Sequence, residues 1–368
     1  MNSEDQPFYK KLSFNLLSIG ILCVALLYGG EVILPLLCSI LLATLLLPVT
    51  NFLVRKKIPK SLSIIIPLVL AILSVAGILY LLSAQVLHFM DDLPGLKERM
   101  SDVSLSFQKW IRESTDMTIR KQNVYVQQAV DNLKEKTPQI AGATVGSITG
   151  ILTYVALLPI YTFLILYYRS IIKKFLVGVF KNGSEEKVTD ILNQSTTISQ
   201  QFVTGLMIET AIVFTLNTIG FLILGIKYAV FLALLAALLN LIPYVGMLTA
   251  NVLAMVITLA SSDSTSDVLW VGVILAIVQL IDNNFLMPLI VGNKVRINAL
   301  VTLLGVLIGG TLCGIPGMFL AIPALAVCKV ICDKVTDLKP WGELLGDGTD
   351  EASKKKERKK LLALNDNE

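Results

Sequence analysis

The sequence predicts an all-α protein that crosses a membrane several times. Hydrophobic residues make up 54% of its 368 residues and charged residues only 16%, whereas soluble domains average about 25% charged residues. This composition excludes a soluble, a disordered or a disulfide-rich secreted protein. The apolar residues form long continuous runs rather than the alternating pattern of a transmembrane barrel, so the membrane segments are predicted to be helices.

Uncharged runs divide the chain into about eight predicted membrane segments. A bilayer core about 30 Å thick requires roughly 20 apolar helical residues. The uncharged runs cover residues 12–30, 32–54, 61–87, 137–168, 210–226, 228–262, 268–281 and 297–328. The first two runs are predicted to be separate spans, joined by a short outer turn at Gly29-Gly30-Glu31.

The basic residues predict the orientation of these segments. Lys and Arg mark the cytoplasmic side of short loops, and they cluster in residues 55–60, 169–181 and 354–360. We therefore expect both termini in the cytoplasm and the polar stretch 88–140 outside. Apolar residues at three- and four-residue spacing within that stretch indicate an amphipathic helical arm.

The sequence thus suggests a scaffold half and a transport half. The predicted parts are spans one to three in 1–87, the extracytoplasmic arm in 88–140, span four in 141–170, a cytoplasmic helical connector in 171–205, the transport half in 206–335 and a basic cytoplasmic tail in 336–368.

Two apolar stretches of the transport half, 228–260 and 298–332, are too long for one straight crossing. Each contains Pro and Gly in its middle, at Ile242-Pro243-Tyr244-Val245-Gly246 and at Gly314-Ile315-Pro316-Gly317. We predict two re-entrant hairpins, because single crossings would place the basic residues 294 and 296 outside. The two units would then be inverted repeats, and many transporters bind their substrate between such repeats at broken helices.

Ionisable and amide side chains inside the predicted membrane region are candidate ligands. An intramembrane carboxylate is costly and marks a candidate functional site. Asp282 shares a helix face with Gln279, which also shares a face with Asn283. The alternative is that Asp282 only fixes helix packing. The predicted ligands are Asp282, Asn283, Gln279, Asn240, Pro243, Gly246, Gly314, Pro316, Gly317 and Glu209.

Other polar residues have simpler interpretations. Glu209 can equally be an interfacial residue that reaches water, and Asn217 and Asn251 are interpreted as amides that hold helices together. The sequence contains no P-loop and a single histidine, His88, and no nucleophile lies at a usable spacing from a base. We therefore expect no enzyme, no nucleic-acid partner and no cofactor apart from a coupling proton or sodium ion.

Three motifs resemble the autoinducer-2 exporter-like (AI-2E) permease family of bacteria. They are the segment Asn240–Gly246 with its IPYVG signature, the stretch from Gln279 through Asp282-Asn283 to Pro288, and the Gly- and Pro-rich stretch 307–323. Two positions depart from the family pattern, since the family usually has Glu at Asp282 and commonly has Pro at Met247.

The resemblance implies a homo-oligomeric inner-membrane permease with eight membrane segments. Members of the family are associated with export of a furanone signal, and others with sodium or lithium/proton antiport. Our first hypothesis is therefore a secondary transporter that exports a small polar solute, such as a signalling molecule. The alternatives are a cation/proton antiporter that uses Asp282, and a non-transporting membrane scaffold that acts through the arm 88–140.

Overall fold

The computed structural model describes residues 8–91, 154–180, 185–242, 245–262, 264–292 and 297–347, and within these ranges it contains helices and no strands. The helices are α1 Phe8–Arg55, α2 Lys60–Asp91, α3 Tyr154–Val179, α4 Glu185–Ile223, α5 Ala229–Leu239, α6 Val245–Ser261, α7 Thr265–Ile281, α8 Ala299–Lys334 and α9 Lys339–Leu345. A π-helical segment, Asp282–Gly292, continues α7, and a 3₁₀ turn, Thr336–Leu338, precedes α9. The predicted arm lies outside the described residues beyond residue 91.

Six of the described segments are long and apolar enough to cross a membrane. They are Cys23–Arg55, Lys60–Leu87, Tyr154–Val179, Glu185–Ile223, Ser266–Ile290 and Ala299–Lys334. Many of their large apolar side chains are exposed in the described residues, as is typical of surfaces that contact lipid or another apolar surface. The predicted class, an all-α polytopic membrane protein, is confirmed.

The prediction of a turn at Gly29-Gly30-Glu31 is wrong, because α1 is one continuous helix of 48 residues. A glycine in a helix costs only about 1 kcal/mol relative to alanine, which is too little to end a long apolar helix. The amino terminus was predicted to be cytoplasmic because two spans joined by this turn would start and end on the same side. A helix that crosses once has its ends on opposite sides.

The described chain forms two compact units. Unit 1 comprises residues 1–70, 157–209 and 285–368, and unit 2 comprises 71–156 and 210–284. The predicted transport half, 206–335, is therefore divided between the two units, with the first Pro/Gly break in unit 2 and the second in unit 1.

In unit 1, polar contacts join α3 to α1 and to the loop that follows α1. The Ser39 hydroxyl donates to the Leu158 carbonyl at 3.0 Å, and the Arg169 guanidinium donates to Asn51 Oδ1 at 2.7 Å. Lys60 donates to the Tyr167 carbonyl at 2.5 Å and lies 4.7 Å from the centre of the Tyr167 ring. These contacts fix the basic loop 55–60 against α3.

Helix α8 is folded into a hairpin at Gly314. This glycine has φ 62° and ψ −149°. These backbone angles are strongly unfavourable for every residue except glycine. A Cβ added to Gly305 would lie 2.5 Å from Leu325 Cδ1, and one added to Gly309 would lie 2.5 Å from the Gly317 carbonyl oxygen. The arms 299–313 and 315–334 therefore run antiparallel in close contact, as small residues at a membrane helix interface allow.

The open end of this hairpin is closed by α9. The backbone N–H of Asn298 donates to the backbone carbonyl of Leu345 at 2.8 Å. The start of the first arm therefore lies beside α9, which follows the second arm. Gly342 of α9 lies against the last turn of the second arm, where a Cβ would be 2.4 Å from Asp333 Oδ1. Both ends of the hairpin therefore lie close together.

In unit 2, α5 and α6 flank the first break. At about 1.5 Å per residue, the 11 residues of α5 extend only about 16 Å, too short for a bilayer core. A Cβ on Gly246 would lie 1.6 Å from the Leu239 carbonyl oxygen, so the turn between the helices requires glycine there. The buried core of this unit packs α5 and α6 against α4 and α7, and it includes Phe221, Leu232, Ala233, Ala250, Ala254 and Val271.

Candidate binding site

Asp282 lies where α7 changes into the π-helical segment. Its side chain is 4% exposed, and its backbone amide donates to the carbonyls of Val278 and Gln279. The wider π-helical turns that follow include Pro288, which has no amide hydrogen to donate. Stretches of π-helix inside α-helices are frequent at functional sites.

Two amide side chains approach the Asp282 carboxylate. Asn240 Nδ2 donates to Asp282 Oδ2 at 3.3 Å, and Gln279 Nε2 lies 3.5 Å from the same oxygen. Gln279 Nε2 also donates to Asn283 Oδ1 at 3.0 Å. Both amides direct their NH₂ groups to the carboxylate oxygen, which accepts the hydrogen bonds.

A small cavity lies next to these amides inside unit 2. Its volume is ≈ 20 Å³, enough for one species of the size of water. Four of its ten lining residues have amide side chains, and the other six are apolar. The lining residues are Asn217, Asn240, Asn251, Gln279, Val213, Ala236, Met247, Ala250, Leu275 and Val278.

Each of the four helices contributes to the cavity through one repeated pattern. An apolar residue is followed four positions later by an amide, and both lie on the same helix face. The pairs are Val213 and Asn217 on α4, Ala236 and Asn240 at the end of α5, Met247 and Asn251 on α6, and Leu275 and Gln279 on α7. The pattern lines the cavity with amides from four directions.

The structure brings together only some of the predicted ligands. One hydrogen-bonded group contains Asp282, Gln279 and Asn240. The exposed Asn283 accepts a hydrogen bond from Gln279. Gly246 shapes the turn beside Asn240. Pro243 lies outside the described residues. The other predicted ligands, Glu209, Gly314, Pro316 and Gly317, belong to unit 1.

Asn217 and Asn251 were not among the predicted ligands, although both line the cavity. Asn217 is 2% exposed, and its Oδ1 has no hydrogen-bond partner among the described residues. Leaving a buried acceptor unsatisfied costs about 1–3 kcal/mol. The sequence signal that could have identified these residues is the repeated spacing of an aliphatic residue and an amide. Among the described residues there is no group of three or more His, Cys, Asp or Glu that could hold a metal ion.

Six long apolar helices and a buried polar group between helices define the class of this chain as a polytopic membrane protein. Residues 15–337 match the family model of the AI-2E family transporters, and the chain therefore belongs to the AI-2E family. The predicted family is confirmed, and the protein is a multi-pass membrane protein of a transporter family.

Relatives in several bacteria carry names that agree with this assignment. The chain is 29% identical to "Putative transport protein YrrI" of Bacillus subtilis, over 82% of this chain and 85% of that protein. It is 28% identical to "Putative transport protein YueF" of the same species, over 80% and 82%. It is 24% identical to "Putative permease PerM" of Escherichia coli K12, over 67% and 70%.

Proposed function

We propose that the protein is a secondary transporter that moves a small polar solute out of the cell across the bacterial inner membrane. The observation that carries this proposal is the buried Asp282 carboxylate, bonded to Asn240 and placed beside an amide-lined cavity. A carboxylate inside a membrane segment is costly unless it has polar partners, and such groups mark solute and ion pathways.

The cavity limits what can bind in the described state. A volume of ≈ 20 Å³ accommodates a single ion or one polar group of a larger solute. Unit 2 would have to open further for a whole organic molecule to enter. The broken segment beside the cavity is suited to such a change, because helix interruptions in transporters line the substrate site.

We place the basic loop 55–60 and the carboxyl-terminal tail in the cytoplasm, on the strength of their Lys and Arg content. The partners are the lipid bilayer, the solute and further copies of the same chain. Apart from a coupling proton or sodium ion, the transporter uses no cofactor.

The flux of ions and protons across the membrane of proteoliposomes tests the assignment of Asp282. Asp282→Asn keeps the shape of the side chain and removes its charge. We expect a roughly 10- to 100-fold slower flux, because losing a charge-assisted hydrogen bond costs about 1.5–3 kcal/mol. Asp267→Asn is the matched control, since Asp267 lies in the first turn of the same helix and is bonded to Ser262. Equal flux through both variants would refute the assignment.

Cation/proton antiport is the second candidate, and the size of the cavity favours it. A cavity of ≈ 20 Å³ with four amide side chains among its lining residues suits a small monovalent cation, because hard cations prefer oxygen ligands. Antiport predicts that adding sodium or lithium outside the vesicles changes the internal pH, and that Asp282→Asn removes this change. If no cation moves protons, transport of an organic solute is favoured.

A measurement of function in cells tests the scaffold alternative. A non-transporting scaffold that acts through the arm 88–140 would lose its cellular function when the arm is deleted and keep it in the Asp282→Asn variant. A transporter requires the reverse result for Asp282.

A further inference from the structure

We infer that unit 1 binds the headgroup of an anionic phospholipid at a basic patch, where the loop after α1 meets the end of α3. Asp282 lies in unit 2, so this inference does not depend on the transported species. The basic patch consists of seven residues from two segments that are far apart in the sequence: Arg55, Lys56, Lys57, Lys60, Arg169, Lys173 and Lys174.

Two hydrogen bonds between α1 and α3 bring these segments together. Ser39 donates to the Leu158 carbonyl, and Arg169 donates to Asn51 Oδ1. The two contacts are separated by nearly the same number of residues on both helices, so α1 and α3 run parallel and with equal rise. The basic residues one turn beyond the second contact therefore lie at the same level on both helices.

The positive charge of the basic patch is not compensated within the described residues. Neither residues 32–90 nor residues 137–184 contain an Asp or a Glu. Lys57, Lys173 and Lys174 are exposed, and none of them forms an ion pair in the part of the chain that the structure describes. Lysine and arginine side chains form strong charge-assisted hydrogen bonds with phosphate oxygens. The patch therefore suits a phosphate group.

The backbone of Lys57 indicates that its side chain has a function. Lys57 has φ 65° and is the one residue other than glycine with a positive φ among the described residues. Its N–H donates to the Val54 carbonyl at 2.9 Å, and the N–H of Ile58 donates to the Leu53 carbonyl at 3.3 Å. This is a Schellman motif, in which the position of Lys57 is usually glycine. A lysine in this left-handed conformation costs stability, and such strained residues concentrate at functional sites.

Exposed aromatic side chains beside the basic patch indicate that the phosphate belongs to a lipid. Phe52 is 58% exposed, and the Lys56 Nζ atom lies 5.7 Å from the centre of its ring. Phe175 follows Lys174 directly and is 65% exposed. Both rings belong to helices that are apolar enough to cross a membrane, and basic side chains near the ends of such helices reach the headgroup level. The rings suit the acyl chains of a lipid whose phosphate contacts the lysines.

Lipid binding to the purified full-length protein tests the inference. The protein in neutral detergent is titrated with short-chain phosphatidylglycerol or with phosphatidylcholine of equal chain length, and native mass spectrometry counts the bound lipids. We expect at least about tenfold tighter binding of phosphatidylglycerol, and weaker binding as the salt concentration rises. Equal binding of the two lipids would overturn the inference. Glycerophosphoglycerol is the same headgroup without acyl chains, and if it competes equally well, the site holds a free phosphate compound and the lipid assignment is wrong.

Lys57 gives the sharpest test, because its replacement should change stability and binding in opposite directions. Lys57→Gly removes the charge and suits the left-handed backbone. We therefore expect a higher melting temperature together with about fivefold weaker binding of phosphatidylglycerol. Lys57→Arg keeps the charge and should bind like the unchanged protein. Weaker binding by a more stable protein is not due to misfolding.

A second variant tests the segment on α3. Lys173→Gln should weaken the binding of phosphatidylglycerol by a similar factor, about fivefold. Lys339→Gln is the matched control, because Lys339 is an exposed lysine of unit 1 at the start of α9. An equal loss in Lys57→Gly, Lys173→Gln and Lys339→Gln would show an effect of net charge alone. Unchanged binding in the first two would show that the basic patch holds no lipid, and either result would overturn the inference.

Discussion

Asn240 and Asp282 are separated by 42 residues in the sequence, yet Nδ2 of the first lies 3.3 Å from Oδ2 of the second. Asn240 is the C-cap of α5, and Asp282 is the C-cap of α7. The contact therefore joins the turn of the first broken segment to the point where α7 becomes π-helical. A change in either backbone alters the position of the buried carboxylate.

Replacing Asn240 should destabilise the protein. Asn240→Leu removes a donor from a buried carboxylate, and we expect the free energy of unfolding to fall by about 1.5–3 kcal/mol. Thermal unfolding in detergent measures the change. Asn284→Leu serves as the comparison, because Asn284 is exposed and donates to the Leu280 carbonyl four residues earlier at 2.8 Å. Similar losses in both variants would contradict a special role for Asn240.

Gly246 and Gly272 should respond in opposite directions to the same substitution. A Cβ on Gly246 would overlap the Leu239 carbonyl oxygen at 1.6 Å, so Gly246→Ala should lower the free energy of unfolding by about 3 kcal/mol or more. A Cβ on Gly272 would make an ordinary contact with Met255 at 3.5 Å. Gly272→Ala should be neutral or stabilise by about 0.5–1 kcal/mol. The two melting temperatures test this pair, and a stable Gly246→Ala protein would disprove the turn.

A disulfide can report the fold of α8 directly. A Cβ on Gly305 would lie 3.4 Å from Leu325 Cγ, so Gly305→Cys combined with Leu325→Cys should cross-link under mild oxidation in a variant without the five natural cysteines. In a straight helix the two positions would be about 30 Å apart. Leu304→Cys with Leu325→Cys is the control, because Leu304 is exposed. Absence of the first cross-link would show that α8 is straight.

Gly314 should be intolerant of any side chain for a conformational reason. Apart from the adjacent backbone, no atom of the described residues lies within 4 Å of the position that a Cβ would occupy there, so the cost of Gly314→Ala comes from the backbone angles and should be about 1–3 kcal/mol. Gly178 has the same free space for a Cβ and lies in an ordinary helix. Gly178→Ala should therefore leave the free energy of unfolding unchanged or raise it. Unfolding of both variants in the same detergent compares them. A loss of stability at Gly178 would indicate that space, rather than backbone angle, matters.

Much of the fold follows from composition and from Pro and Gly positions. Continuous apolar runs predicted the helices, and the second break was predicted at the place where the chain reverses at Gly314. The turn at Gly29-Gly30 was predicted wrongly, since the same residue type also fits inside a helix when its backbone angles remain helical. The sequence does not distinguish a glycine at a chain reversal from a glycine inside a helix, because the backbone angles of the glycine depend on what packs around it.

The candidate site was predictable only in part. Asp282 was identified because a charge inside a membrane segment is rare. Gln279 was identified because it is on the same helix face. Asn217 and Asn251 lie on other helices, and their convergence on one cavity depends on how α4 and α6 pack against α7. A single amide in an apolar helix has the same sequence pattern whether it binds a ligand or holds two helices together.

The reversal at Gly314 has a consequence for the parity of membrane crossings. Counted by hydropathy alone, the 36 residues of α8 make one crossing and change the side of everything that follows. Folded at one glycine, with Asn298 bonded to Leu345, the same residues return to the side from which they started. One backbone conformation therefore decides whether the number of crossings up to the last residues is odd or even. A reporter fused to the carboxyl terminus would read that parity as a change of compartment.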